Sequence, residues 1–192
     1  NMLDLAEIPV WAVERGDEHP IVIAGGSGAF NPEPLAAFID AFFLGEGEDA
    51  VIDLANKVRE WKAAGMSRHE RLRSLLTLPG VYVPRFYEAR YGDNDHFAVL
   101  EPTTSEAPPR ITRRIVEKLP PALVKPIVPF LQTVHDRAAV EIQRGCTQGC
   151  RFCQAGMIYR PTRERSPEEV VEAARELMRN TGYDELSLLS LS

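Results

Sequence analysis

Eight of the chain's fifteen prolines fall in one stretch: Pro84, Pro102, Pro108, Pro109, Pro120, Pro121, Pro126 and Pro129. Proline lacks the N–H that a helix interior or a central strand needs, so no long regular element can run through such a region. Residues 79–137 therefore read as an extended linker with small strands such as Phe97-Ala98-Val99-Leu100, and a domain boundary is expected within it. A chain of 192 residues divided in this way has room for parts of two domains, but is short for a complete large α/β barrel.

Before the linker the hydropathy alternates between short apolar runs and helical periodicity. Pro20-Ile21-Val22-Ile23-Ala24 reads as a buried parallel strand that ends in Gly25-Gly26-Ser27-Gly28. Asn31-Pro32-Glu33-Pro34 supplies a cap, early prolines and an acidic first turn, with Leu35, Phe38, Ile39 and Phe42 spaced for one face of a short helix. A second run, Ala41-Phe42-Phe43-Leu44, ends in Gly45-Glu46-Gly47-Glu48. A longer helix is predicted next, with Val51, Leu54, Ala55, Val58 and Trp61 on its apolar stripe. Another helix is predicted over Arg68–Leu76, then a β-prone Val81-Tyr82-Val83 after Pro79-Gly80. After the linker, Ala138–Ile142 reads as a strand that runs into Arg144-Gly145-Cys146. Ser166-Pro167-Glu168-Glu169 begins a helix that Gly182 ends, and Leu186–Leu191 begins another strand. The grammar of this last part is βαβ, and the fold class of the whole is α/β.

Twenty-two basic against 28 acidic residues give 22 − 28 = −6, so the chain lacks the cationic field that drives unspecific nucleic-acid binding, and a nucleic-acid partner is disfavoured. Hydrophobic residues at 44% suffice for a core, which argues against wholesale disorder. No apolar stretch is long enough to span a bilayer, and Asn1-Met2-Leu3-Asp4 does not begin a signal peptide, so no membrane partner and a cytoplasmic location are expected. All three cysteines, Cys146, Cys150 and Cys153, lie within eight residues. An odd, clustered count is a poor disulfide framework and reads as a metal site.

The spacing is C-x3-C-x2-C. Zinc sites usually take four Cys or His ligands as two separated pairs, whereas thiolates are the preferred ligands of iron-sulfur clusters, and three of them leave one iron of a 4Fe-4S cube open. A zinc knuckle completed by a distant histidine such as His135 is the bland alternative. With Arg144-Gly145 before the first cysteine and Phe152 just before the third, the segment resembles the signature of the radical S-adenosylmethionine superfamily. The resemblance implies that Cys146, Cys150 and Cys153 ligate a 4Fe-4S cluster on the first loop of a partial (β/α)6 TIM-like barrel. It further implies that S-adenosylmethionine binds the open iron and is cleaved reductively to a 5'-deoxyadenosyl radical, with electrons from a donor such as flavodoxin or ferredoxin. Phe152 would then shield the cluster and border the cofactor site. The Gly-Gly-Glu-like segment that related enzymes carry after the second strand is replaced by Ser190-Leu191-Ser192; these serines border the pocket or simply face solvent. Tyr159-Arg160-Pro161, Arg163 and Arg165 read as a solvated basic face, with the cofactor carboxylate or an anionic substrate as the alternative contact.

The glycine loops of the first part, with Gly25, Gly26, Gly45, Glu46 and Gly47, make residues 1–78 similar to the later βα units of the cobalamin-binding Rossmann-like domain that precedes many radical S-adenosylmethionine barrels. That likeness implies cobalamin as a further cofactor. The Asp-x-His-x-x-Gly pattern that supplies a cobalt ligand in some members is missing, because Asp17-Glu18-His19 runs into Pro20 and precedes a strand. The expected organisation is thus residues 1–78 as a partial cobalamin-binding-like α/β domain, 79–137 as linker, and 138–192 as the first βαβ unit of the barrel. Both ends look cut, as in an internal slice of a longer protein. The implied activity is that of a radical enzyme on an unknown substrate, with no catalytic side chain assigned. A zinc-stabilised binding module, and an RNA-modifying enzyme that transfers methyl or methylthio groups, are the competing readings.

Overall fold

The computed structural model describes residues 1–93, 95–131, 134 and 136–191. His135 and Ser192, considered above as a zinc ligand and as a strand-end serine, lie outside the described residues. The chain forms two compact units, Asn1–Val116 and Glu117–Ser192. The proline-rich stretch is divided between them at Val116, with residues 79–116 in the first unit.

After a single helical turn, α1 (Met2–Leu5), the first unit turns its apolar runs into a three-stranded sheet. β1 (Ile23–Ala24) pairs parallel with β2 (Ala41–Phe43), which pairs antiparallel with β3 (Val81–Tyr82). Two helices follow β2. α2 (Glu48–Ala64) has acidic residues in its first turn and ends on Gly65 at φ +61, a left-handed cap that costs glycine little. α3 (Arg68–Leu75) starts with a capping box, in which the Ser67 amide donates to the Glu70 carboxylate at 2.8 Å. Trp61, Leu72, Leu75, Val81, Val83 and Phe86 are buried together in the core that these elements enclose. A hairpin of β4 (Tyr87–Tyr91) and β5 (Phe97–Pro102) follows, at the place where the sequence predicts a small strand.

Two expectations for this unit need correction. The helix predicted over the segment after Asn31 is a single 3-10 turn, Glu33–Leu35, preceded by another at Ser27–Phe30. Phe42 fits both a helical face and an apolar strand run; the strand wins, and Phe42 is 1% exposed in the sheet. Too few residues then remain between the prolines and β2 for an α-helix. Val51, expected on the buried stripe of α2, is 66% exposed, whereas Leu54 and Val58 do pack on the core.

A feature invisible to hydropathy ties β1 to β2. Asp40, immediately before β2, accepts from Arg15 Nη1 at 2.8 Å, from Arg68 Nη2 at 2.7 Å and from the Val22 amide at 2.7 Å, all on one carboxylate oxygen. Arg15, Asp40 and Arg68 are all buried. Buried charges persist only when paired and hydrogen-bonded, and this set satisfies that demand in large part through backbone carbonyls.

In the second unit β6 (Ala138–Glu141) and β9 (Leu186–Leu189) are parallel, with α5 (Pro167–Thr181) in the connection between them. Ser166 and Glu169 form a capping box, Pro167 takes the first helical position, and Gly182 closes the helix at φ +76. Ala173 and Leu177 of α5 bury against Ala138 and Val140 of β6. This is the βαβ unit that the sequence predicts, and the fold as a whole is mixed α/β.

Candidate functional site

The three cysteines lie on one loop at the C-terminal end of β6. After Ile142 the chain enters β7 (Gln143–Arg144), which pairs antiparallel with β8 (Arg163–Glu164) in the register Gln143↔Glu164 and Arg144↔Arg163. This pair closes a loop of residues 145–162 that carries all three cysteines and the short helix α4 (Ala155–Ile158). Gly145 makes the closure possible. It sits at φ +87, and a Cβ there would lie 2.5 Å from the Tyr159 carbonyl oxygen and 2.6 Å from that of Pro161. Only glycine tolerates both the conformation and the approach.

The arginines around the loop are not the solvated basic face that the sequence suggests. Arg163 is buried and donates to the same two carbonyls that press on Gly145, with Nε to Pro161 at 3.1 Å and Nη2 to Tyr159 at 3.3 Å. Arg165 donates to the carbonyls of Glu141 at 2.8 Å and Pro120 at 2.6 Å. Arg144 forms a bidentate pair with Glu141 at 2.8 and 2.9 Å, and Arg160 Nε donates to the Gly156 carbonyl at 3.0 Å. Guanidinium forks thus stitch the two ends of the cysteine loop to the strand that leads into it. Sequence reasoning missed this because carbonyl acceptors carry no residue signature.

Cys146 is buried, Cys150 is exposed, Cys153 is half-buried, and all three are free thiols. The Gln148 amide donates to Cys146 Sγ and the Gly156 amide to Cys153 Sγ, each at 3.4 Å. Among the described residues, no group of three His, Cys, Asp or Glu side chains is set to hold a single metal ion. A cubane makes a different demand, since its thiolates bind separate irons. Three free thiols on one glycine-hinged loop, two of them facing amide donors, fit that donor set. Phe152 is 91% exposed, so its ring does not shield the sulfurs. The tight turn between the second and third cysteines, closed by the Cys153 amide on the Cys150 carbonyl at 3.1 Å, turns the intervening side chains outward.

Beside the loop, at the C-terminal ends of β6 and β9, an open crevice of about 300 Å³ is lined by Glu141, Gln143, Arg144, Tyr159, Leu189, Ser190 and Leu191. Such strand ends are where α/β folds bind ligands. Ser190 belongs to this crevice, and its hydroxyl is 3.3 Å from the Gln143 side-chain oxygen.

The glycine loops of the first unit follow β1 and β2 and so share one sheet edge. Gly26, at φ +85, has open space around it, and a Cβ on Gly25 would meet the Phe43 carbonyl at an ordinary 3.7 Å. Gly45 is different. At φ +110 it packs on the backbone of Arg114, whose carbonyl oxygen would be 2.2 Å from an added Cβ. The Glu46 amide donates to the Arg114 carbonyl at 3.2 Å, and the Glu46 carboxylate accepts the Val116 amide at 2.5 Å. Gly47 caps α2 with no crowding around it. Gly45 and Glu46 thus have a structural partner in the chain itself.

The family model for the N-terminal region of radical SAM proteins matches residues 1–84, and that of the radical SAM superfamily matches residues 140–190. The chain belongs to the radical SAM superfamily. Its superfamily match takes in the end of β6, the cysteine loop, α5 and β9. Among similar proteins, the uncharacterized protein MJ0966 of Methanocaldococcus jannaschii is 26% identical over 94% of this chain and 33% of its own length. The tRNA-2-methylthio-N(6)-dimethylallyladenosine synthase of Staphylococcus epidermidis is 36% identical over 32% of this chain and 12% of its own length. The threonylcarbamoyladenosine tRNA methylthiotransferase MtaB of Bacillus subtilis is 37% identical over 31% and 13%. This radical SAM chain therefore spans about a third of the length of MJ0966 and far less of the two tRNA enzymes. No solved structure matches it.

Proposed function

We propose that the second unit is the cofactor-binding start of a radical SAM enzyme, in which Cys146, Cys150 and Cys153 hold a 4Fe-4S cluster and the crevice beside Ser190 receives S-adenosylmethionine. The observation that carries the reading is the loop itself: three free thiols on a glycine-hinged turn at the end of a parallel strand, next to an open crevice. When bound, the cluster would pass one electron to S-adenosylmethionine and so start radical chemistry on a substrate.

The protein's own residues have defined parts in this. Cys146 follows directly on Gly145, which packs on the Tyr159 and Pro161 carbonyls, while the Gln148 and Gly156 amides donate to the Cys146 and Cys153 sulfurs. Arg163 and Arg165 fix the far end of the loop, so the sulfurs are presented without a large ordering cost on loading. We do not extend the proposal to cobalamin, because the Gly45-Glu46 loop is engaged by residues 114–116. Anaerobic reconstitution with iron and sulfide tests the proposal. A brown, oxygen-sensitive protein with about four irons and four acid-labile sulfides per chain is expected, and Cys150→Ala should lose it. One zinc per chain with no labile sulfide, or unchanged iron in Cys150→Ala, would overturn the reading in favour of a zinc-stabilised module.

A second reading, transfer of a methylthio group to RNA, is favoured by the names of the two tRNA relatives. The net charge of −6 runs against it. Tight, salt-dependent association with tRNA by the iron-loaded chain would select it.

A further inference from the structure

Arg160 stands two residues after the end of α4 and reaches back over the cysteine loop. Its Nε donates to the Gly156 carbonyl at 3.0 Å, and the amide of that same glycine donates to Cys153 Sγ at 3.4 Å. Its Nη2 lies 3.7 Å from the point where a Cβ on Gly149 would stand, and Gly149, at φ +66, immediately precedes Cys150. One guanidinium therefore spans the backbone that carries the second and third sulfurs. Among the neighbouring cations, Arg144 is paired with Glu141, Arg163 and Arg165 donate to backbone carbonyls as Arg160 does, and Arg151 is exposed to water. A guanidinium keeps its charge at every accessible pH, so its field on the loop is permanent.

We propose that Arg160 sets the reduction potential of the cluster held on this loop; this rests on the reading above, that the three cysteines hold a 4Fe-4S cluster. Reduction adds one electron, with no bond formed or broken, to a group that already carries three thiolates. A fixed positive charge alongside favours the reduced form and raises the potential. Gly149 keeps the approach open, and the hydrogen bond to Gly156 holds the charge in place.

The test is a redox titration of the 192-residue chain loaded with iron and sulfide, without S-adenosylmethionine. Dithionite with mediators serves as the one-electron reductant, and the EPR signal of the reduced cluster is the readout. Arg160→Gln is expected to make reduction about tenfold less favourable, a midpoint lower by about 59 mV for one electron, whereas Arg160→Lys keeps the wild-type midpoint. An unmoved midpoint in Arg160→Gln overturns the proposal and leaves the cluster reading intact. If Arg160→Gln cannot be loaded, Arg160→Lys decides. A loaded lysine variant at the wild-type midpoint supports the role of charge, and an equally empty one shows that Arg160 only braces the loop, which overturns it. A wild-type chain that takes up no cluster sinks the underlying reading, and this inference with it.

Discussion

Gly45 and Gly145 sit in corresponding places in the two units. Each follows a strand, each has a positive φ, and each lies where a Cβ would strike a carbonyl oxygen, at 2.2 Å for Gly45 and 2.5 Å for Gly145. The side chains that come next part company. Glu46 spends its carboxylate on the Val116 amide, so the first loop is closed by the fold itself. Cys146, Cys150 and Cys153 remain free thiols on the second loop, which is held in shape by arginines from outside. The backbone device is shared, but only in the second unit do the chemically able side chains stay available for a ligand. A glycine at a strand end therefore says little about function until the engagement of its neighbours is known.

The comparison can be broken from either side, and the two tryptophans help, because Trp11 and Trp61 both belong to the first unit. Their fluorescence reports on that unit, while iron uptake reports on the second. The largest effect expected is from Asp40→Ala, which leaves Arg15 and Arg68 buried without their carboxylate. The tryptophan-detected unfolding free energy should fall by about 3–5 kcal/mol. A loss below about 1 kcal/mol would mean that the backbone carbonyls alone satisfy the arginines.

Next come the two glycines themselves. Gly45→Ala should cost the first unit about 3 kcal/mol, through left-handed strain and a clash with backbone that cannot rotate away. Iron uptake should be unchanged. Gly145→Ala should do the reverse, abolishing cluster assembly while the tryptophan transition stays within about 0.5 kcal/mol of wild type. If both variants damaged both readouts, the two loops would not be separate devices.

Much of this was legible in the sequence wherever the signal is local. Ser166-Pro167-Glu168-Glu169 and Gly182 mark both ends of α5 within a few residues, and the run from Ala138 into the first cysteine places the loop at a strand end. Failures arose where one residue satisfied two patterns or where the partner was distant. Phe42 fits both a helical face and a strand run, and its pairing with Ala24 on one side and Tyr82 on the other decides between them. The β7–β8 pair is two residues on each side, too short for any periodicity. The contact of Gly45 with Arg114 joins segments far apart in the chain, and no local rule suggests it. Nothing local marks Arg15, Asp40 and Arg68 as buried, since a buried ion cluster has no signature in composition.

Glu46→Ala sharpens the contrast at a smaller scale. Removing the carboxylate leaves the Val116 amide without this acceptor in a half-buried place, and the first unit should lose about 1–3 kcal/mol. Iron uptake again should not respond.

The smallest effect should come from Phe152→Ala, and its smallness is informative. Phe152 is 91% exposed, so truncation removes almost no buried apolar area and should shift stability by less than about 0.5 kcal/mol. The fold therefore does not require the ring, in contrast to Glu46, which the first loop uses structurally. Two observables then separate an idle surface ring from one that turns inward on loading. Unchanged stability with faster bleaching of the reconstituted chain in air means that the phenyl group covers the cluster only once iron is present. Unchanged stability with unchanged bleaching means that water reaches the cluster past Phe152, and that its protection must come from other parts of the loop.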